Sequence, residues 1–173
     1  MPPTKNSPKM KRIAGIDPGF DRIGMAIIEG ERGREKLVYS CSIITPRKEK
    51  HEKRLVFLAR EVKKIVKKFK PEMFAVEKLF FNQNITNALK VAEARGVILL
   101  IAGEFGLPVY EYSPQEIKAT ITGYGKAQKK QLMLLISKII FLPTKRDKML
   151  DDEYDAIAVA LTHSAYKNSY YPQ

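Results

Sequence analysis

Arg12-Ile13-Ala14-Gly15-Ile16-Asp17-Pro18-Gly19 decides how this chain is read. A short apolar run closed by an Asp-Pro-Gly turn predicts a buried strand over 11–17. That strand ends on a carboxylate. A second apolar run, Met73-Phe74-Ala75-Val76-Glu77, ends on another. Asp152 and Asp155 stand three residues apart where an apolar helical pattern begins. Acids at the ends of buried strands are costly unless they are paired or hold a metal.

Outward from the first run, Gly24 to Glu29 is a second apolar strand. Gly30 to Gly33 is a hairpin-like turn, and Lys36 to Thr45 is a third strand. The short connections predict an antiparallel meander. From Lys48 to Phe69 the apolar spacing becomes helical, with Leu55, Leu58, Val62, Ile65 and Val66 on one face and lysines on the other. A fourth strand is expected over 73–79 and a long helix over 85–105, stopped by Gly106 and Pro108. Val109 to Tyr112 is a fifth strand. Ser113-Pro114-Gln115-Glu116 then carries an N-cap, a proline at the first helical position and a capping box. Further helices are expected over 128–140 and 152–166, the last capped by its acids. The order predicts an α/β domain: a mixed five-stranded sheet, three antiparallel strands then parallel ones, with helices on both faces. In such a sheet the first and fourth strands can be neighbours, which brings Asp17 and Glu77 to one end, where ligand sites lie. A final helix across that end brings Asp152 and Asp155.

The chain has 173 residues and 45% hydrophobic content, which fits a single domain over 11–167. Residues 1–10, with three prolines and no periodicity, read as a flexible leader or tag, and 168–173 as a tail. The single cysteine, Cys41, excludes an intrachain disulfide and a thiolate zinc site, and fits a cytoplasmic location. No apolar run is long enough to span a membrane, and no signal peptide is evident. Thirty-one Lys and Arg against nineteen Asp and Glu give a net charge of +12, which favours nucleic acid as partner.

An acid cluster in a basic chain points to divalent-metal chemistry on a phosphate polymer. Two Mg²⁺ ions about 3.5–4 Å apart activate a water, neutralise the transition state and stabilise the leaving oxygen. Mg²⁺ takes hard oxygen ligands and keeps several waters, so a few carboxylates suffice; Mn²⁺ is a substitute. Asp17 would bridge both ions, Glu77 and Asp155 would each hold one, and Asp152 would complete the set. Each acid alone has an ordinary reading, as a turn residue, a strand-end acid or a helix cap. Their co-occurrence carries the metal reading. An actin-like ATPase lobe would also carry an Asp and glycines in its first hairpin, but the chain is too short for two lobes and shows no second phosphate loop. An RNA-cutting nuclease stays open, since the acids do not define the sugar.

These segments resemble the RuvC-type Holliday junction resolvases, which have a ribonuclease H-like fold. The resemblance covers about residues 11–167 and rests on five segments in order. Ile16-Asp17-Pro18-Gly19 with Gly24 resembles the first-strand motif. Ala75-Val76-Glu77-Lys78-Leu79-Phe80, then Asn84, Ala88 and Ala94-Arg95-Gly96, resembles the second. Glu111-Tyr112-Ser113-Pro114 with Ile117-Lys118 resembles the third, and Gly123 to Gln131 the Gly-rich basic segment. Asp152 to Ala158, ending at Thr162-His163, resembles the last catalytic helix. The resemblance implies that Asp17, Glu77, Asp152 and Asp155 are catalytic, and that a homodimer cuts four-way DNA junctions symmetrically with Mg²⁺. It implies a dimer interface on the long helix after Glu77, and branch-migration helicase proteins are candidate partners. Phe20-Asp21-Arg22 and the Glu153-Tyr154 pair depart from the family pattern, and Asp21 adds an acid nearby. A divergent paralogue that cleaves or only binds another branched nucleic acid is the alternative.

For DNA contact, Phe80 and Phe81 follow Glu77 and could stack on a base opened at the junction; the ordinary reading of Phe81 is a core aromatic. Lys118, Lys126, Lys129 and Lys130 lie near the Gly-rich loop, where lysines neutralise phosphates. Lys129 matches the family's motif lysine and is a candidate for stabilising transition-state charge. The ordinary reading of such lysines is a solvated helix face. His163 is too far along its helix for direct ligation and is expected in the core or a supporting role; His51 is expected to be exposed.

Overall fold

The computed structural model describes residues 11–30, 32–79, 85–142 and 149–166. Five strands, β1 (Arg12–Asp17), β2 (Arg22–Glu29), β3 (Lys36–Ile44), β4 (Met73–Glu77) and β5 (Val109–Tyr112), form one sheet in the order β3-β2-β1-β4-β5. β1 pairs antiparallel with β2 and parallel with β4; β2–β3 is antiparallel and β4–β5 parallel. This is the expected mixed sheet.

The strand side chains alternate between two cores, as the period of two requires. Ala14, Ile16, Phe74 and Val76 face one core, closed by α1 (His51–Phe69) and α2 (Ile85–Glu104). Ile13, Met73 and Ala75 face the other, closed by α3 (Pro114–Thr122), α4 (Lys129–Ile139) and α5 (Asp151–Tyr166). The same parity puts Asp17 and Glu77 on the α5 side. α5 lies almost directly on the sheet. A Cβ on Gly15 would stand 2.1 Å from the Ala156 carbonyl, and one on Gly24 1.9 Å from the Asp152 carbonyl. Only glycine permits that approach.

Some boundaries differ from the reading. β4 ends at Glu77 rather than Leu79, and the Lys78 N–H donates to the Tyr112 carbonyl at the end of β5. α1 begins at His51 rather than Lys48, because the Glu49 N–H closes a turn onto Pro46. α3 starts as read, with Ser113 and Glu116 in a reciprocal capping box and Gly123 as its left-handed C-cap. The expected cap of α5 exists, but Glu153 makes it: its carboxylate accepts the Leu150 N–H at 3.3 Å. His51 is not simply exposed. It stacks on Phe20 at 4.7 Å and meets Glu93 of α2 at 2.5 Å. The charged loop over 143–148 lies outside the described residues.

Candidate active site

Asp17 and Glu77 end two adjacent parallel strands on the same face, and their carboxyls share a hydrogen bond. Burial, then the charges of Glu77, Asp155 and Asp152, push the Asp17 carboxyl up from 3.8 to about 8. Asp17 therefore keeps its proton and donates it to Glu77. Burial and the Asp155 charge also raise Glu77, against the hydrogen bond from Asp17 and the charges of Lys118 and Lys129. Burial raises Asp155 as well, opposed by Lys129. So the acids read from three separate stretches lie close enough for their charges to act on one another, and burial with that repulsion raises Asp17, Glu77 and Asp155.

Two cations flank the cluster. On one side Lys129, at the start of α4, donates to Asp155 Oδ2 at 2.8 Å and approaches Asp151 at 3.6 Å. Burial pulls its ammonium down, but those two acids outweigh it and hold Lys129 above the usual lysine range. On the other side Arg22 Nε stands 3.3 Å from Asp152 Oδ2, and Ser42 Oγ donates to the same oxygen at 3.1 Å. As the side chains stand, no group of three or more Asp, Glu, His or Cys among the described residues is closed around one cation point. Asp155 is turned onto Lys129, and Asp152 onto Ser42 and Arg22.

Glu77, Asp155, Lys129 and Lys118 line a cleft of about 230 Å³, floored by Ile117, Leu132 and Ala158. Lys118 is half-buried there; Lys126 and Lys130 are exposed nearby in sequence. Asp21, the extra acid, does not join the cluster: Arg54 takes it at 2.5 Å and Arg47 at 3.5 Å. His163 is buried at the far end of α5, its Nδ1 2.7 Å from the Tyr112 hydroxyl, and belongs to the core. Phe80 and Phe81 lie outside the described residues. The sequence reading missed Arg22, Ser42 and the buried pair of Ser40 and Glu153. The available signal was Ser40-Cys41-Ser42, two hydroxyls on one face of an otherwise apolar strand.

Acids at the ends of the first and fourth strands, and on a helix laid across the sheet, define a ribonuclease H-like nuclease fold. A profile of the crossover junction endodeoxyribonuclease RuvC family matches residues 13–163. The chain belongs to that family. It is 42% identical to crossover junction endodeoxyribonuclease RuvC of Thermotoga petrophila, over 88% of this chain and 92% of the relative. Identity to the same enzyme of Moorella thermoacetica is 41%, over 89% and 91%. The structure of T. thermophilus RuvC in complex with Holliday junction substrate superposes with a TM-score of 0.84 at 32% identity, covering 91% of this chain and 94% of that one.

Proposed function

We propose that this chain is an endodeoxyribonuclease that resolves four-way DNA junctions by paired, symmetric phosphodiester hydrolysis in recombination and repair. Family membership over nearly the whole chain supports the activity. The observation that carries the residue assignment is the meeting of carboxyls from β1, β4 and α5, where burial first and the neighbouring acids second push Asp17 up to about 8.

Such a set fits divalent cations. The donors are hard oxygens, and added positive charge would relieve the burial and repulsion that raise Asp17, Glu77 and Asp155. Asp17, Glu77, Asp152 and Asp155 would hold Mg²⁺, or Mn²⁺ in its place, with two ions per site; the metal would activate a water and neutralise charge on the phosphate. The chain's own residues do the rest. Lys129 holds an ammonium at the edge of the cluster, where the scissile phosphate must approach, and Lys118 lines the same cleft. Preplaced positive charge of this kind acts most strongly in the transition state. Lys126 and Lys130 contact flanking phosphates. Phe80 and Phe81, three and four residues after Glu77, stack on bases unpaired at the crossover.

A homodimer supplies the second cut. Leu89, Gly96, Leu100 and Gly103 fall on one stripe of α2; Leu89 and Leu100 are 58% and 63% exposed. A Cβ at either glycine would meet nothing within 4 Å. The stripe is open and fits a second α2. Among the described residues no helix is long and apolar enough to cross a membrane, and we place the enzyme in the cytoplasm. Branch-migration helicase proteins are the partners we propose for delivering junctions.

The test is incubation of the purified chain with a four-way junction, a Y-fork, a linear duplex and an RNA–DNA hybrid, with and without Mg²⁺. Paired nicks at the junction crossover, only with metal, are expected. Binding without cleavage, or preference for the hybrid, refutes the assignment.

A further inference from the structure

β3 is one of the two edge strands of the sheet, yet two of its hydroxyls reach the turn of α5 that carries the acids. Ser42 Oγ donates to Asp152 Oδ2 at 3.1 Å. Ser40 Oγ donates to Glu153 Oε2 at 2.5 Å in a buried contact. Glu153 is only 8% exposed. Its other oxygen accepts the Leu150 N–H at 3.3 Å, and its own N–H returns to the Leu150 carbonyl at 3.0 Å. One side chain thus caps α5 and bolts its first turn to the sheet.

A buried carboxylate is a costly bolt; an apolar side chain of the same volume would hold the two elements together at less cost in desolvation. The carboxylate adds direction. α5 packs on the sheet through Ala156 and Ala160 against Gly15, and apolar contact of this kind carries no directional bond at the acid-bearing first turn. Each residue of a helix turns it by about 100°, so the aim of Asp152 and Asp155 follows the rotation fixed at Glu153. Ser42 and Arg22 both grip Oδ2 of Asp152, which leaves Oδ1 for the cluster.

We propose that Ser40, Ser42 and Glu153 are positioning residues that fix the rotation of α5 and so aim Asp152 and Asp155 into the acid site. The inference rests on the metal-holding role given above to those two acids. None of the three touches the reacting atoms. They act as the outer partners of ligating carboxylates do, by holding each ligand in one orientation.

The test compares Ser40→Ala, Ser42→Ala, Glu153→Gln and Glu153→Ala with Asp152→Asn, all in the full chain. It reads three quantities: the single-turnover cleavage rate on saturating junction, junction affinity without divalent metal, and Mn²⁺ affinity without DNA by electron paramagnetic resonance. Ser40→Ala and Ser42→Ala are each expected to lower the rate and the Mn²⁺ affinity by about tenfold, with junction affinity unchanged. Glu153→Gln keeps an acceptor for Ser40 and should fall between the native protein and Glu153→Ala. Adding Ser40→Ala to Glu153→Ala should cost less than the two single losses summed, because the two share a bond. A lower melting temperature with native rate and native Mn²⁺ affinity would mark a purely structural tie and overturn the inference. If Glu153→Ala does not fold, the two serine variants decide. If Asp152→Asn leaves rate and Mn²⁺ binding intact, the acid-site reading itself fails. If Asp152→Asn abolishes both while the serine variants match the native protein, only the positioning inference fails.

Discussion

Asp17 and Glu77 close adjacent parallel strands and share one proton, with the Asp17 carboxyl held up to about 8. That arrangement opposes folding whenever the proton is lost. In the unfolded chain Asp17 ionises near its ordinary 3.8. Between that pH and about 8 the folded state binds a proton that the unfolded state does not, so stability falls as pH rises through this window.

The melting temperature of the metal-free protein should therefore drop as pH rises from about 4 to about 8 and level off above that. Asp17→Asn removes the titrating group and should flatten that drop. At neutral pH it should raise stability by about 1–2 kcal/mol, roughly 3–7 °C at this size. It should also abolish cleavage, because an amide is a poor ligand for a divalent cation, while leaving metal-free junction binding intact, because the protonated acid it replaces carries no charge at neutral pH. Millimolar Mg²⁺ should raise the melting temperature of the native protein and not of the variant. Thermal scans with and without EDTA check this; a variant that melts lower and cleaves normally would refute it.

Lys129→Ala leaves Asp155 without the ammonium that stands 2.8 Å away. We expect the single-turnover rate to fall by about 100-fold, the scale of losing one preplaced transition-state donor, with junction affinity reduced far less. Lys129→Arg should recover part of the rate. A native rate in Lys129→Ala would place the residue on an idle surface.

Gly15→Ala and Gly24→Ala should separate packing from aim. The Gly15 methyl would meet Ala156 and Ala160 in the middle of α5, and should destabilise by about 3 kcal/mol. The Gly24 methyl would meet the Asp152 backbone at the first turn. That variant should lose cleavage at temperatures where circular dichroism still reports a folded protein. Full cleavage by folded Gly24→Ala would show that α5 tolerates displacement at its acids.

Lys118→Ala, Lys126→Ala and Lys130→Ala should each weaken junction binding. Each should also flatten the dependence of log affinity on log salt by about 0.9, the value for one phosphate contact. Titrations between low and moderate salt in the absence of divalent metal measure the slope. An unchanged slope identifies a lysine that does not meet DNA.

Asp17 and Glu77 were legible because each closes a short apolar run; in the fold the residues of those runs alternate between two cores, and with the β1–β4 register this puts both carboxyls on one face. The strand order followed from short connections early and helical ones later. The grip on Asp152 was not legible. Ser42 lies 110 residues from it, Ser40 lies 113 from Glu153, and nothing local marks either pairing. Asp21 misled for the same reason: next to an acid site in sequence, it is captured by Arg54 of α1. Boundaries slipped where a turn competed with a helix, as at Pro46 to Glu49 before α1.

Whether the four carboxyls jointly hold the metal is tested most directly by diffraction from crystals soaked in Mn²⁺, at a wavelength where manganese scatters anomalously. Two peaks about 3.5–4 Å apart are expected, both bonded to Asp17, with Glu77 and the α5 acids completing the set and Lys129 released from Asp155. Manganese bound elsewhere, with Asp17 and Glu77 still sharing their proton, would contradict the proposed site.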